Sequence, residues 1–387
     1  MRSSATSSSP LSRSCCPALF EPCVLSLESR ILKRFLFLYT ELAPYVLACL
    51  KALVDKHDVE VHLVRWPVNP EAPFELDFAG RSKVYERGAL DDESLVRLTQ
   101  ALKPDITFAS GWVDKGYLAA CRETRKRGKP VVICSDTAWR GDARQVAAAI
   151  AARFWIKGTF SHAWVTGEAQ ATYARKLGFA GASIRTGFYS ADVDRFAPLA
   201  RRFAALKGSK FPHRFLCVAR YIPTKGNQYL CDTFAGLCKA GNAGDWELWI
   251  AGTGELHDEV RNSAGGRHER IKHLGFIQPE VMPEVLAQCG VFVLPSTYEP
   301  WGVAVQEHAC AGFPLILSSA VGAAERFLVA GSNGDSFVAG DERALANALR
   351  AMIGRTDHEL RVMGDSSTEL GTRWNPTEWA RTAMSFL

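Results

Sequence analysis

The stretch VFVLPSTYEPWGVAVQEHACAGFPLILS (291–318) decides the fold. It starts with an apolar run, passes through a short polar loop and a segment of small residues, and returns to an apolar run, which is typical of a strand, a helix and a second parallel strand. If the helix starts near Gly302, Glu299 lies in the loop at the carboxyl end of the first strand. Glu307 then lies roughly 7 Å further along the helix axis. Two carboxylates facing the crevice at that end of a sheet predict a ligand rich in hydroxyl groups.

The same alternation of strand and helix continues outward along the chain. It runs from Phe35 through the first half, lapses between Asp194 and Leu206, and restarts with FLCVA. A chain of 387 residues with 47% hydrophobic content is too long for a single core. The sequence therefore predicts an α/β protein with two doubly wound parallel sheets and a hinge at the lapse. We place the first domain at 31–198, the second at 206–373 and a terminal helix at 374–387.

Residues 1–30 are left out of the predicted fold. The first twenty contain no acidic residue and many serines, and they lack the continuous apolar core of a secretory signal. We interpret the segment as a disordered leader or as the product of a mis-assigned start.

The eleven cysteines stand in apolar contexts without metal-ligand spacing. They are typical of buried, reduced thiols in a cytoplasmic protein. No apolar run reaches the ~18 residues needed to span a bilayer, so we expect a soluble or peripheral protein.

Positive charge is concentrated in the first half. Residues 1–200 contain 27 Lys and Arg against 21 Asp and Glu, whereas residues 201–387 contain 19 against 20. Part of the excess is RETRKRGK (122–129), at the end of a predicted helix. These cations suit the helix dipole in a solvated last turn, or they form a patch for an anionic membrane. No aromatic residues are interleaved with them, which argues against nucleic acid.

Six segments of the second half resemble, in order, the retaining GT-B glycosyltransferases of family 4, also called glycosyl transferases group 1. They are FLCVARYIPTKG (215–226), LWIAGTGE (248–255), IKHLGFI (271–277), MPEVLAQCGVFVLPSTYEPWG (282–302), QEHACAGFPLI (306–316) and GAAERFLVAGSNG (322–334). The first half matches mainly in layout and in its closing segment IRTGFYSADVDRFAP (184–198). The resemblance implies a GT-B fold, in which two Rossmann-like domains face each other across a cleft and the terminal helix crosses back to the first domain.

Four residues match the family's main donor-site positions. Arg220 and Lys225 match the cations at the donor diphosphate, where fixed positive charge stabilises a leaving group without a metal. Glu299 matches the first glutamate of the E-x7-E signature, which holds the donor sugar. Glu307 matches the second, which accepts hydrogen bonds from the ribose hydroxyls.

Two further groups of residues are candidates for donor binding. Trp301, Gly302 and Val303 stand at the predicted helix start, where backbone N–H groups favour an anion. Trp301 is equally compatible with an apolar plug over this helix start. Gly252 and Gly254 punctuate a predicted strand-to-helix turn near the nucleotide, and packing alone explains a lone G-x-G equally well.

The first domain departs from the family pattern in two places. Its first strand is followed by LYTELAPY (38–45), which contains Pro44 and no glycine. The histidine often found after the central strand is missing, and the sequence there reads SDTAWR (135–140). Asp136 either takes over a role toward the sugar or caps the following helix.

These observations predict a metal-independent, retaining glycosyltransferase that needs no cofactor beyond its nucleoside diphosphate sugar. The expected acceptor is a glycan or a lipid-linked molecule in cell-surface polysaccharide or lipopolysaccharide assembly, and the expected location is the cytoplasm, at the inner face of a membrane. Two alternatives remain: an epimerase or sugar phosphorylase on the same scaffold, and a catalytically silent subunit that binds nucleotide-sugar.

Overall fold

The computed structural model describes residues 32–40, 42–67, 80–206 and 210–387. The predicted leader at 1–30 lies outside the described residues. The described chain forms two parallel sheets, as the strand and helix alternation predicts. Among the described helices, none is long and apolar enough to cross a membrane.

The first sheet has seven strands in the order β3-β2-β1-β4-β5-β6-β7. Its strands are β1 (Lys33–Tyr39), β2 (Val59–Arg65), β3 (Ser82–Glu86), β4 (Ile106–Ser110), β5 (Val131–Ser135), β6 (His162–Val165) and β7 (Ile184–Arg185). The helices that connect them are α1 (Pro44–Lys56), α2 (Asp92–Leu102), α3 (Lys115–Lys126), α4 (Ala143–Thr159) and α5 (Glu168–Lys176). Strand order reverses between β1 and β4, which creates a crevice at their carboxyl ends.

The second sheet has six strands in the order β10-β9-β8-β11-β12-β13. They are β8 (Arg214–Val218), β9 (Glu247–Ala251), β10 (Ile271–Gly275), β11 (Val291–Leu294), β12 (Leu315–Ser318) and β13 (Gly334–Phe337). The helices of this half are α7 (Asn227–Lys239), α8 (His257–Asn262), α9 (Met282–Leu286), α10 (Val303–Cys310), α11 (Ala324–Phe327), α12 (Glu342–Ile353) and α13 (Asp357–Thr372). The order reverses between β8 and β11, which are also the strands that precede the predicted donor residues.

A helix, α6 (Val193–Leu206), occupies the segment where the sequence predicts a lapse in periodicity. Its apolar residues Val193, Phe196, Leu199 and Phe203 recur at helical spacing and are buried with the second domain's core. Pro198 lies inside this helix, and proline at an interior position is what disguised the pattern. The predicted end of the first domain at residue 198 therefore falls within a helix that packs in the second domain.

The last helix, α14 (Pro376–Met384), lies against α1 of the first domain. Trp379 is buried beside Phe37 and Trp164, with ring centroids 6.1 and 4.7 Å away. The indole Nε1 of Trp379 donates a hydrogen bond to the carbonyl of Phe188 at 2.7 Å. The end of the chain thus completes the core that faces one side of the first sheet.

Two strands of the first sheet are absent from the predicted pattern. The edge strand β3 follows a segment outside the described residues and has no fully buried position, so its sequence lacks an apolar run. The strand β7 has two residues, too few for any periodicity to appear.

We predict that one histidine links the stability of the second domain to pH. His213 bonds Asp245 through Nδ1 and Asp357 through Nε2, at 2.5 and 2.9 Å. Burial lowers the pKa of His213, but the two carboxylates outweigh it and the net pKa is raised. This contribution is fully present below the unfolded-state pKa, about 6.5, and is lost as pH rises through the folded-state pKa.

Thermal unfolding should therefore show that His213→Gln destabilises the protein more at pH 6 than at pH 9. His358→Gln is the matched control, because His358 is exposed on α13. Equal destabilisation by His213→Gln at both pH values would contradict the linkage.

Candidate functional site

The carboxyl ends of both sheets border one cavity of about 440 Å³. Pro44, Tyr45, Asp136 and Tyr189 line it from the first domain. From the second domain it is lined by residues predicted from sequence, namely Arg220, Lys225, Gly252, Glu299, Trp301, Gly302, Val303 and Glu307. Gly254 is the one predicted site residue that does not line the cavity.

Arg220 and Lys225 lie in the loop between β8 and α7. The loop ends in a 3₁₀ turn, Pro223–Lys225, and Gly226 follows with φ +73°. A Cβ at Gly226 would lie 2.7 Å from the carbonyl oxygen of Pro295, so glycine allows this loop to approach the loop after β11. The N–H of Thr297 donates to the carbonyl of Thr224 at 2.8 Å and fastens the two loops together.

Lys225 and Glu299 form an ion pair across these two loops. Their side chains are 16% and 11% exposed, and the hydroxyl of Ser296 also donates to the Glu299 carboxylate, at 3.4 Å. Because the pair is shielded from water, its attraction is stronger than that of a surface pair. An anion entering the cavity would compete with Glu299 for the ammonium of Lys225.

The backbone around Glu299 fixes the direction of its side chain. The carbonyl of Glu299 accepts from the N–H of Gly322 at 3.0 Å, which holds the loop against the loop after β12. Gly302 then takes a left-handed conformation, φ +95°, and α10 begins at Val303. Glu299 therefore lies in the loop and Glu307 within the helix, as the sequence predicts.

Glu307 is half-buried and lines the cavity. Burial raises the pKa of its carboxyl, Arg195 lowers it and Asp192 raises it, and the net pKa is about 7. Asp192 and Arg195 come from the start of α6 and also line the cavity. Sequence reasoning missed these two residues, although they lie within the closing segment of the first half, SADVDRF (190–196).

Trp301 behaves as a plug. It is 1% exposed, and its ring meets Phe327 edge to face with centroids 6.3 Å apart. A Cβ at Gly167 would lie 2.6 Å from Cζ3 of Trp301, so the indole also fills the space beneath α5. Of the two interpretations of Trp301, the structure favours the apolar plug at the edge of the cavity.

Gly252 and Gly254 are explained by a close approach of backbone. Their φ angles are +139° and +149°, and a Cβ would lie 2.1 Å from the carbonyl oxygen of Ala219 and 2.7 Å from that of Tyr221. The glycines let the loop after β9 run alongside the loop that carries Arg220. Packing is therefore the role the structure gives to Gly254, while Gly252 also faces the cavity.

Asp136 does not cap the following helix. The cap of α4 is Asp142, whose carboxylate accepts from the N–H of Gln145 at 2.8 Å. Asp136 instead lines the cavity and accepts from the hydroxyl of Tyr189 at 3.3 Å. The capping alternative is wrong because Asp136 lies six residues upstream of the cap, in the loop that faces the second domain.

Two contacts that the sequence did not indicate join the domains beside the cavity. The amide of Gln170 donates to the carbonyls of Pro300 and Asp136, at 2.7 and 3.2 Å. The carboxylate of Glu325 accepts from the N–H of Glu168 at the start of α5, at 2.9 Å. The first contact places the loop of Glu299 against the first domain, and the second places α11 there.

In the part of the chain that the structure describes, no three His, Cys, Asp or Glu side chains are grouped as a metal site. The charged groups that line the cavity are Arg220 and Lys225 from the loop after β8, Glu299 and Glu307 from the β11–α10 segment, Asp136, and Asp192 and Arg195 from the start of α6. This arrangement can hold a ligand that is anionic at one end and rich in hydroxyls at the other.

Residues 212–355 match the family model for glycosyl transferases group 1. Over 113 residues the chain is 33% identical to an uncharacterized glycosyltransferase of Methanocaldococcus jannaschii, and this alignment covers 28% of each chain. Over 140 residues it is 32% identical to the phosphatidyl-myo-inositol mannosyltransferase of Mycobacterium leprae, and this alignment covers 36% of each chain. These matches thus span 28% and 36% of the length of the curated relatives.

The fold is similar to that of HepE from Anabaena in complex with UDP and glucose. The TM-score is 0.69 with 16% identity, and the alignment covers 92% of this chain and 100% of that one. The two sheets facing one cleft are therefore a GT-B fold, as the resemblance of the motifs implies.

We predict that Glu307 lowers the stability of the free protein at neutral pH. Its folded-state pKa of about 7 lies above the ordinary value of 4.5, so stability is full below pH 4.5 and is lost as pH rises through 7. Above pH 7 the free energy of unfolding is lower by an amount on the order of 3 kcal/mol.

Glu307→Gln should therefore melt at a higher temperature than the parent protein at pH 8 and at nearly the same temperature at pH 5. The exposed Glu284, changed to Gln, is the control. A Glu307→Gln protein that is no more stable than the parent at pH 8 would show that the carboxylate is well solvated.

Proposed function

We propose that the protein is a retaining glycosyltransferase, since residues 212–355 match the family model for glycosyl transferases group 1. It would transfer a sugar from a nucleoside diphosphate sugar to a glycan or lipid-linked acceptor in cell-surface polysaccharide or lipopolysaccharide assembly. The observation that carries this proposal is the position of Arg220, Lys225, Glu299 and Glu307 around one cavity at the carboxyl edge where β8 meets β11.

In the proposed complex, the donor diphosphate lies between the loop of Arg220 and Lys225 and the start of α10. Two cations and the N-terminus of a helix favour a diphosphate on electrostatic grounds. We propose that Lys225 leaves Glu299 when the diphosphate arrives. Glu299 is then free to accept hydrogen bonds from hydroxyls of the donor sugar, and Glu307 accepts those of the ribose.

During transfer, the bond between the anomeric carbon and the leaving phosphate oxygen breaks, and a bond to an acceptor oxygen forms on the same face. The leaving phosphate takes the acceptor's proton. Arg220 and Lys225 stabilise the charge that develops on the diphosphate, so we propose that the reaction needs no metal ion.

We propose that the acceptor enters from the first domain, past Tyr45, Asp136 and Tyr189. A carboxylate beside phenolic rings suits hydroxyl groups and sugar faces. The similar mannosyltransferase of Mycobacterium leprae is named for a lipid, phosphatidyl-myo-inositol, which supports a lipid-linked acceptor and a protein at the inner face of a membrane.

The first test is a thermal-shift screen with UDP-, GDP- and ADP-sugars. We expect one nucleotide class to raise the melting temperature, since a ligand that binds only the folded state stabilises it. Transfer from that donor to lipid extracts or glycans then distinguishes a transferase from a silent binding subunit. No shift with any of the nucleotide sugars would overturn the proposed function.

The loop cations provide a prediction. Arg220→Ala and Lys225→Ala should each weaken binding of the nucleoside diphosphate by roughly tenfold or more, since one charge-assisted bond is worth ~1.5–3 kcal/mol. Calorimetry measures the affinity, and initial rates in EDTA, where transfer should persist in the parent, measure turnover. Lys239→Ala is the control, because Lys239 lies at the exposed end of α7. Unchanged affinity in both variants would remove these cations from the site.

Substitution of Glu299 and of Glu307 should affect transfer and nucleotide affinity differently. Glu299→Gln should impair transfer and keep or increase nucleoside diphosphate affinity, because it releases Lys225 from its ion pair. Glu307→Gln should weaken the free nucleoside diphosphate and the intact donor alike, through lost bonds to the ribose. Calorimetry with the free nucleotide, beside initial rates with the donor, distinguishes the two. Parent-like nucleotide affinity in Glu307→Gln would disprove its ribose role.

A further inference from the structure

One exposed face of α4 combines aliphatic and basic side chains. Val146 and Ile150 are 41% and 61% exposed, and Arg153 and Lys157 are also exposed. These four residues recur at i, i+4, i+7 and i+11, so they form one stripe along the helix. We call this stripe the α4 face. The opposite side of the helix packs in the core through Ala149, Ala152 and Ile156.

The charged residues of α4 are all basic. Between Ala143 and Thr159 it has three cations, Arg144, Arg153 and Lys157, and no acidic residue. Among the described residues, none of the three has an ion-pair partner within 4 Å. Trp66 and Val113 are also exposed and lie near each other, since the indole of Trp66 donates to the carboxylate of Asp114 at 3.1 Å.

The first turns of α4 project beside the cavity. The ring of Trp155 meets that of Trp112, two residues past the end of β4, with centroids 6.2 Å apart. The twelve residues of α4 before Trp155 extend the helix by roughly 18 Å from its contact with Trp112. Just before the helix, the guanidinium of Arg140 lies 4.7 Å from the ring centroid of Tyr298 in the second domain. The start of α4 therefore follows a loop that lines the cavity at Asp136 and contacts the second domain at Arg140.

Several cations of the basic segment at 122–129 already have partners within the protein. Lys126 lies 3.4 Å from the carboxylate of Glu123, and Lys129 lies 3.0 Å from that of Asp105. The guanidinium of Arg127 donates to the carbonyl of Pro104 at 3.3 Å. This segment spans the last turn of α3 and the loop before β5, next to the amino ends of the strands and away from the cavity. Of the two alternatives that the sequence left open for it, the structure favours a solvated helix end.

We propose that the α4 face docks on an anionic lipid bilayer, with Val146 and Ile150 among the acyl chains and Arg153 and Lys157 at the headgroups. Cations without acidic neighbours complement an anionic surface, and their aliphatic stems reach past apolar contacts to the headgroup level. A second copy of the chain would bring like charges together, which opposes self-association. This inference rests on the proposed function only where it places a lipid-linked acceptor at the entrance.

Vesicle flotation tests the surface itself. The full chain should float with phosphatidylcholine vesicles that contain phosphatidylglycerol, and much less with phosphatidylcholine alone. Raised salt should reduce the binding. Val146→Asp with Ile150→Asp should lower the partition coefficient by about tenfold or more. Arg153→Ala with Lys157→Ala should lower it by a factor of about five per cation.

Matched variants provide the controls. Val338→Asp with Val362→Asp changes two exposed valines of the second domain, and Arg122→Ala with Lys126→Ala changes the other basic segment; both should float like the parent. Nucleoside diphosphate affinity should be unchanged in every variant, so a failure of the donor site and a failure of the membrane surface give different results. Parent-like flotation of both α4 variants, or loss of flotation only in Arg122→Ala with Lys126→Ala, would overturn the proposal. A dimer that the α4 substitutions dissociate, without vesicle binding, would also overturn it.

Discussion

The buried amide of Gln306 holds together the two points at which the chain passes between the domains. Gln306, 1% exposed, accepts a hydrogen bond from the N–H of Ala191 at 2.7 Å, and its NH₂ group donates to the carbonyls of Gly371 and Trp374 at 2.9 and 2.7 Å. The chain leaves the first domain near Ala191 and returns to it after Trp374. Both crossings are thus fixed to α10. Since an unpaired amide in this position would be costly, the position of the neighbouring Glu307 depends on the same bonds.

The second-domain side of the cleft holds its two glutamates in different electrostatic environments. Lys225 and Glu299 neutralise each other across two loops that a glycine allows to meet. Glu307 forms no ion pair within the part of the chain that the structure describes, and burial shifts its pKa upward. The site therefore contains one carboxylate that is held by a cation and one that is destabilised by its surroundings. Such opposed environments are typical of functional sites rather than of surface charge networks.

The sequence predicted the parallel sheets because each central strand is a continuous apolar run. The family resemblance pointed to Arg220, Lys225, Glu299 and Glu307, which the structure brings to one cavity. It failed where a local signal was hidden: Pro198 masked α6, and β7 is too short to show a period. Asp192 and Arg195 were missed because their proximity to Glu307 arises only when α6 packs beside α10. The alternatives for Asp136 and Trp301 needed coordinates, because capping and plugging are decided by distances and not by spacing.

The position of α14 has a consequence for the order of folding. Its Trp379 and Phe386 belong to the same core as Phe35 and Phe37, which lie in β1. Domains generally fold as units during synthesis, beginning with the N-terminal one. Here the first domain would expose an apolar surface until more than 340 further residues have been made, because α14 covers that surface. The first domain cannot complete its packing before the second has been translated. This closure between distant parts of the chain makes the two domains a single folding unit whose early intermediates require protection from aggregation.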